Sequence, residues 1–267
     1  MKILAVDYDG VISDSALKSL FTSHNAYCKY FGLEVKKNFG GELFTFNNWE
    51  EMQKKYKKEM DDYRRLRSYI ELPGDFFAIL KITEEQVQIK DQKEFIAYRN
   101  QLQFDYHFFR ELFFKEKEKW QEKSFRKWFF LSPVFKEVIK GIQRFTKEGQ
   151  KIVIATSNLG EAIHCAFQPE YLGFEMDIED IFDKNFGKHK AEHMQAIAKK
   201  YDAKLDEIYF IDDQLSYLKG TDVLGVHVFL AGWGYCTESQ KEEAKKEKIT
   251  VIEEEKDFYP VLKQALS

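Results

Sequence analysis

ILAVDYDGVISDS, the stretch at residues 3–15, joins a short apolar run to a turn that carries two carboxylates. The apolar residues 3–6 are typical of a buried strand, and Asp7 and Asp9 follow them closely. Two carboxylates held this close repel each other. Such a pair is costly to fold unless it binds a cation or takes part in a reaction. An acidic turn that merely ends the strand is the alternative, because Asp and Gly are common at turns. Asp7 and Asp9 are therefore the first candidates for a functional site.

The overall composition excludes several classes of protein. The 267 residues are 44% hydrophobic and 32% charged, and no apolar run approaches the roughly 20 residues of a membrane span. The first residues lack the basic and apolar segments of a secretory signal, and the three cysteines show no Cys-x-x-Cys spacing. A net charge of -4 gives no electrostatic reason to bind nucleic acid. We therefore expect a cytoplasmic protein with neither a membrane nor a nucleic-acid partner.

Apolar runs and helical patterns alternate along much of the chain. The runs lie at residues 3–6, 152–155, 208–211 and 226–230, and the helical patterns lie at 134–148, 159–167, 190–202 and 214–220. Short apolar strands that alternate with amphipathic helices favour a parallel sheet covered on both faces. The sequence thus predicts an α/β fold.

Residues 16–130 differ, because they contain no convincing strand. Apolar side chains recur there at the spacing of one buried helix face: Trp49, Met52, Tyr56, Met60, Tyr63, Leu66 and Ile70. A second stretch, 109–128, repeats the pattern less regularly, and Leu72-Pro73-Gly74 is expected to break the helices once. Since one strand precedes this stretch and the others follow it, we predict a helical insertion, placed as a lid over the carboxyl ends of the strands.

Two later stretches carry groups that can hold an anion. Residues 151–158 read KIVIATSN, a buried strand that ends in Thr156 and Ser157 where a helix begins. Hydroxyls and backbone N–H groups at such a point bind phosphate or carboxylate, although a helix N-cap is the commoner role. Lys188 and Lys190 stand before the next helical pattern. An ammonium group there would offset the carboxylates and hold a phosphoryl oxygen.

A further strand, at residues 208–213, ends in the adjacent acids Asp212 and Asp213. Hard oxygen ligands gathered at several strand ends suit Mg²⁺, which keeps waters and binds few protein carboxylates. Without a cation these acids would repel Asp7 and Asp9. Magnesium is therefore the expected cofactor.

These four stretches, in this order, resemble the signature loops of the haloacid dehalogenase-like hydrolase superfamily, most closely its phosphoglycolate phosphatase and β-phosphoglucomutase type. Residues 7–15 resemble that group's opening, residues 132–139 (SPVFKEVI) its return from cap to core, and residues 228–235 (VFLAGWGY) its loop after a late strand. The resemblance implies a Rossmann-like parallel core at 1–15 and 131–267, with an α-helical cap inserted at 16–130.

The resemblance also implies a role for each signature residue. Asp7 would be the nucleophile that forms an aspartyl-phosphate, and Asp9 the general acid and base. Thr156 would hold the phosphoryl group, together with a lysine that is either Lys188 or Lys190. The Mg²⁺ ligands would be Asp7, the backbone carbonyl of Asp9, and Asp213 with Asp212 bound directly or through water. Tyr217 stands where many members have another acid.

Further residues are candidates for substrate binding. The resemblance implies that Gly10, Ser157 and Asn158, which stand in the signature stretches, would contact the substrate. In the cap, Arg65 and Arg67, with Arg64, could reach a substrate carboxylate or second phosphate, although a solvated helix surface is the alternative.

The implied activity is transfer of the phosphoryl group of a small phosphorylated metabolite to Asp7, followed by hydrolysis. A phosphoglucomutase-like transferase, which returns the group to a sugar, would use the same nucleophile. A catalytically idle protein whose helical insertion binds a partner is a third reading. Residues 189–193 also fit the His-x-x-Glu-His pattern of some zinc proteases. The sequence predicts neither the individual substrate nor the oligomeric state.

Overall fold

The computed structural model describes residues 1–32, 38–187 and 189–267. Lys188, one of the two candidate lysines, lies outside the described residues. The chain divides into two compact units, a core unit of Met1–Asp14 and Pro133–Ser267 and a helical unit of Ser15–Ser132. The predicted boundaries at 15 and 131 differ from these by one and two positions. Leu131 belongs to the helical unit because it is buried in the apolar cluster of that unit.

A parallel sheet forms the centre of the core unit. Its strands are β1 (Ile3–Val6), β2 (Lys151–Ala155), β3 (Ile181–Phe182), β4 (Ile208–Asp212), β5 (His227–Ala231) and β6 (Thr250–Ile252). Among the described residues, these six strands take the order β3-β2-β1-β4-β5-β6, and each neighbouring pair is parallel. Val6 is level with Ile154 of β2 and with Ile211 of β4. The expected α/β fold is confirmed.

The helical unit consists of helices and loops, and its described residues contain no strand. The helices are α1 (Ala16–Tyr30), α2 (Trp49–Lys55), α3 (Lys57–Leu66), α4 (Asp75–Glu85), α5 (Gln92–Gln101), α6 (Tyr106–Lys123) and α7 (Phe125–Phe130). The apolar stripe predicted from residue 49 faces the interior, since Met52, Tyr63 and Leu66 are each 1% exposed. Aromatic rings fill this interior, as in the stacked pair Phe77 and Phe104, whose centroids lie 4.1 Å apart.

The stripe is not carried by one continuous helix. Tyr56 leaves the helical conformation (φ -118°, ψ 38°) and separates α2 from α3. Neither proline nor glycine marks this break, and the ring of Tyr56 packs edge-on against Phe39, 5.6 Å away. The expected interruption at Pro73 does precede α4, where buried Asp75 accepts two hydrogen bonds of 2.9 Å from the backbone of the turn.

Helices of the core unit cover the sheet. They are α8 (Lys136–Lys147), α9 (Gly160–Ala166), α10 (Lys190–Tyr201), α11 (Leu215–Asp222), α12 (Glu238–Lys246) and α13 (Phe258–Leu266). Val138, Ile142 and Phe145 form the buried face of α8, which packs on α13. The sequence patterns did not indicate β3, β6 or α13. No helix within the described ranges is both long enough and apolar enough to cross a membrane.

The insertion begins and ends at neighbouring points of the core unit. The Asp14 N–H donates to Pro133 O, and the Phe135 N–H donates to Ile12 O, both at 2.9 Å. Ser13 also forms an antiparallel bridge with Val134. The segments through which the chain leaves and re-enters the core unit are thus paired with each other.

His24 is a titratable group buried inside the helical unit. Its ring is fully buried, contacts Phe39 and Phe44 edge-on, and lies 2.9 Å from Glu42 O through Nε2. Burial lowers the pKa of His24 to about 4, against an ordinary value of 6.5. Between these pH values the unfolded chain binds more protons than the folded one, so stability is full above pH 6.5 and falls as the pH drops toward 4.

We predict that His24→Gln makes the free energy of unfolding less dependent on pH. Between pH 7.5 and 5.5 the wild-type protein should lose about 1 kcal/mol more than the variant, since only the wild type must keep a buried imidazole neutral. Urea denaturation followed by circular dichroism measures the difference. His107→Gln, at an exposed position of α6, is the control. Equal pH dependence in wild type and His24→Gln would contradict the prediction.

Candidate active site

The candidate residues from three signature stretches lie at the carboxyl ends of adjacent central strands. Asp7 follows β1, Thr156 follows β2, and Asp212 ends β4 with Asp213 next to it. The Asp7 N–H continues the sheet ladder to Ile211 O at 3.0 Å. The strand order reverses on either side of β1, and open α/β sheets bind ligands at such a point.

Lys190, at the start of α10, brings three strand ends together. Its Nζ lies 2.5 Å from Asp7 Oδ1, 2.5 Å from Ala155 O and 3.2 Å from Asp212 Oδ2. The side chain is buried, and the ring centroid of Tyr217 lies 5.8 Å from Nζ. One ammonium group thus contacts the ends of β1, β2 and β4.

Three carboxylates form a cluster that could hold a metal ion. Asp7, Asp212 and Asp213 are buried and each offer one oxygen, with all three oxygens within 4.8 Å of one another. Asp212 Oδ1 accepts from the Gln214 N–H at 2.8 Å, whereas Oδ2 forms the 3.2 Å ion pair with Lys190 but accepts no hydrogen bond from the described residues. Carboxylate oxygens alone suit Mg²⁺, Ca²⁺ or Mn²⁺. The donor set therefore fits a hard divalent cation.

The charges of the site favour such a cation. Burial raises the pKa of Asp7 well above its usual range; Lys190 opposes this, while Asp212, Asp213 and Asp9 add to it. Burial alone would lower the pKa of Lys190, but Asp7 and Asp212 outweigh burial, so that pKa lies above its usual value. The described part of the site thus holds four carboxylates and one ammonium group. A divalent cation would offset the surplus negative charge.

Asp9 is held by Asn158, which the sequence suggested as a substrate-binding residue. The side-chain amide of Asn158 donates to Asp9 Oδ2, and the Asn158 N–H donates to Thr156 Oγ1 at 3.1 Å. Asn158 therefore connects the loop after β2 to the turn after β1. Its contact with substrate stays a prediction, as does that of the exposed Ser157. The carboxylate of Asp9 is not part of the metal cluster, and its carbonyl as a ligand stays a prediction.

Two glycines allow Asp213 to pack closely against the turn. A Cβ on Gly10 would lie 2.2 Å from Asp213 Oδ2, and a Cβ on Gly234 would lie 2.4 Å from Asp213 Cβ. The Tyr235 N–H donates to Asp213 Oδ2 at 2.6 Å. Gly10 is thus placed against a proposed metal ligand. Sequence reasoning assigned no role to Gly234 and Tyr235, although two glycines around an aromatic residue were a signal of close backbone approach.

The roles of the remaining candidates stay predictions. In the helical unit, the Arg65 guanidinium donates to Ile89 O at 2.9 Å, and that of Arg67 lies 5.4 Å from the ring centroid of Phe76. Their role in substrate binding stays a prediction. His193 is buried with Nε2 3.3 Å from Gly187 O, whereas His189 is exposed. The zinc alternative gains no support from this arrangement.

The family can now be assigned. Residues 1–218 match the model of the haloacid dehalogenase-like hydrolases, so the chain belongs to this hydrolase family. The resemblance seen in the sequence is confirmed, and so is the expectation of a hydrolase enzyme. No curated protein sequence matches the chain significantly.

Solved structures share the fold over the whole chain at low identity. A hydrolase from Pseudomonas syringae is 16% identical with a TM-score of 0.60, covering 100% of both chains. A predicted phosphatase from Clostridium acetobutylicum is 12% identical with a TM-score of 0.59, covering 98% of both chains. A predicted phosphoglycolate phosphatase from Haemophilus somnus 129pt is 12% identical with a TM-score of 0.60, again over 98% of both chains. At this identity the likeness concerns the fold.

We predict that Gly10→Ala displaces Asp213 and weakens Mg²⁺ binding by about tenfold or more. Gly10 has a φ of +88°, so alanine there also adds backbone strain of about 1 kcal/mol. Gly225→Ala is the matched control, because Gly225 has a φ of +87° but open space around its Cβ position. Both variants should lose stability in urea, Gly10→Ala at least as much as Gly225→Ala because of its added clash, and only Gly10→Ala should lose affinity in calorimetric Mg²⁺ titrations. Equal affinities in the two variants would refute the steric argument.

Proposed function

We propose that this protein is a Mg²⁺-dependent phosphatase that hydrolyses a small-molecule phosphate monoester through an aspartyl-phosphate on Asp7. The observation that carries the proposal is the cluster of Asp7, Asp212 and Asp213 with Lys190 Nζ 2.5 Å from Asp7. The family assignment gives the hydrolase class. Solved structures of the same fold named as a phosphatase and a phosphoglycolate phosphatase favour a phosphomonoester as the substrate class.

In the first step, the Asp7 carboxylate attacks phosphorus in line with the ester oxygen. The bond between phosphorus and that oxygen breaks, and Asp9 gives the leaving oxygen its proton. The hydrogen bond from Asn158 fixes one Asp9 oxygen, so we propose that the other oxygen carries the proton. In the second step, Asp9 takes a proton from water, whose oxygen attacks phosphorus and releases phosphate and Asp7.

The surrounding residues stabilise the negative charge of the transferring group. Lys190 is buried and fully paired with the ends of the strands, so its position is fixed before substrate binds. Thr156, at the end of β2, is proposed to hold a phosphoryl oxygen. The ligands proposed for Mg²⁺ are Asp7, Asp212 and Asp213, with the Asp9 carbonyl. When bound, Mg²⁺ would offset the charge of the phosphoryl oxygens.

The proposed partner is a small phosphorylated metabolite. The proposed location is the cytoplasm, whose reducing conditions suit three cysteines that are all free: Cys28, Cys165 and Cys236.

We predict that Asp7→Asn lowers kcat on every phosphomonoester that the wild type cleaves by at least about a thousandfold, because an amide cannot act as the nucleophile. A screen of phosphorylated metabolites with Mg²⁺, read as phosphate release, measures this. The exposed Asp222→Asn is the matched control and should keep full activity. Chelation of Mg²⁺ should abolish wild-type turnover reversibly. Full activity of Asp7→Asn would refute the proposal.

A phosphoglucomutase-like transferase would share Asp7, Asp9 and the metal cluster, so the products must separate the two activities. With a bisphosphorylated sugar and Mg²⁺, a hydrolase should release one equivalent of inorganic phosphate. A transferase should instead move the phosphoryl group to a sugar hydroxyl without releasing phosphate. We expect phosphate release, and transfer as the main product would replace the hydrolase assignment. A catalytically idle protein would show neither product and no Mg²⁺ binding in calorimetry.

A further inference from the structure

The loop after β5, residues 232–235 (Gly-Trp-Gly-Tyr), lies against the turn that carries Asp9. Trp233 Nε1 donates to Val11 O at 3.1 Å, and the Tyr235 hydroxyl donates to Asp14 Oδ1 at 2.8 Å. We call these two side chains the aromatic clamp. Both clamp residues and their partners, Val11 and Asp14, belong to the core unit. The aromatic clamp therefore forms hydrogen bonds to the turn at Val11, near its middle, and at Asp14, at its end.

The turn at residues 8–14 is itself a closed hydrogen-bonded unit. The Ile12 and Ser13 N–H groups both donate to Tyr8 O, at 3.0 and 2.9 Å. The Gly10 N–H donates to Ser13 O at 2.8 Å, and Asp9 forms a bridge with Ser13. A displacement of Val11 or Asp14 would therefore also shift the backbone of Asp9, because few bonds separate them.

The aromatic clamp is anchored to the packed interior of the core unit. Tyr235 is 7% exposed. The ring of Trp233 meets Phe135 and Phe258 edge-on, with centroids 6.4 and 6.3 Å away. Phe258 is fully buried where α13 packs on α8. Trp233 is half-buried, but the buried rings of Tyr235 and Phe258 change position little, because close-packed interiors leave no room for displacement.

The same loop holds the metal cluster through its backbone and the turn through its side chains. The Tyr235 N–H binds Asp213, whereas the Tyr235 hydroxyl binds Asp14. A Cβ on Gly234 would also lie 2.5 Å from Gly10 O, so the loop backbone touches the turn directly. Removal of the hydroxyl alone therefore leaves the contact with Asp213 in place. This separation makes the two roles experimentally distinct.

We propose that the aromatic clamp is a positioning device for the general acid: Trp233 and Tyr235 fix the turn at residues 8–14 so that Asp9 stands where it can protonate the leaving oxygen. The proposal rests on the proposed function, in which Asp9 has that role. Neither clamp residue exchanges a proton or contacts the reacting atoms. Both are positioning residues.

Tyr235→Phe removes one hydroxyl, and Trp233→Phe removes one N–H donor while keeping a ring. A displaced general acid slows poor leaving groups most, because good leaving groups need little protonation. We expect kcat/KM on an alkyl phosphate to fall about tenfold and kcat/KM on nitrophenyl phosphate to fall about twofold at most, since kcat/KM reports the first step, whereas the second step is the same for both substrates. Mg²⁺ affinity should stay unchanged, since the Tyr235 N–H still holds Asp213. Tyr209→Phe, on β4 and also 7% exposed, is the matched control and should leave kcat/KM unchanged on both substrates.

Amide hydrogen exchange supplies a measurement independent of activity. The N–H groups of Gly10, Ile12 and Ser13 should exchange faster in Tyr235→Phe and Trp233→Phe than in wild type or Tyr209→Phe. Unchanged exchange, or equal loss of kcat/KM on both substrates, would overturn the proposal while leaving the phosphatase assignment intact. A wild-type protein without turnover of any phosphomonoester would instead overturn the proposed function, and with it the role of the clamp.

Discussion

The buried ammonium group of Lys190 meets the carboxylates of Asp7 and Asp212 and the carbonyl of Ala155 at the ends of three adjacent strands. Each of these charged groups loses hydration on folding, and only a partner at hydrogen-bond distance offsets that loss. Removing the ammonium group would leave two buried carboxylates without a described cationic partner. The sheet order, which places β1 between β2 and β4, is what allows one side chain to reach all three ends. The contact at the centre of the site therefore depends on the strand order of the fold.

Around this contact the site is assembled by close backbone approach as much as by side chains. Gly10 and Gly234 bring the turn after β1 and the loop after β5 against Asp213, at distances that no Cβ would tolerate. The carboxylates are thereby confined, and among the described residues their negative charge exceeds the positive charge of Lys190. Confinement and excess charge together suit a hard cation, because its ligands are in place before it binds.

Much of this arrangement could be predicted from the sequence because the strands are parallel. Their carboxyl ends meet at one edge of the sheet, so the order of Asp7, Thr156 and Asp212 along the chain was enough to place them together. The edge strands β3 and β6, with two and three residues, are too short to show periodicity. The break at Tyr56 carries no proline or glycine. The contacts of Asn158 with Asp9 and of Tyr235 with Asp14 join residues far apart in sequence, and only the folded chain brings them together.

The paired segments at Ile12–Asp14 and Pro133–Phe135 bear on how this protein could change over generations. Hydrogen bonds within the core unit hold these two segments side by side. The two ends of the insertion are therefore fixed next to each other, whatever the length of the insertion. Lengthening a loop whose ends are already fixed adds little entropic cost to folding. An insertion of another size or architecture could therefore be exchanged at this point with the catalytic chemistry left as it is. The junction makes the fold modular, since the insertion can change without redesign of the residues of the candidate site.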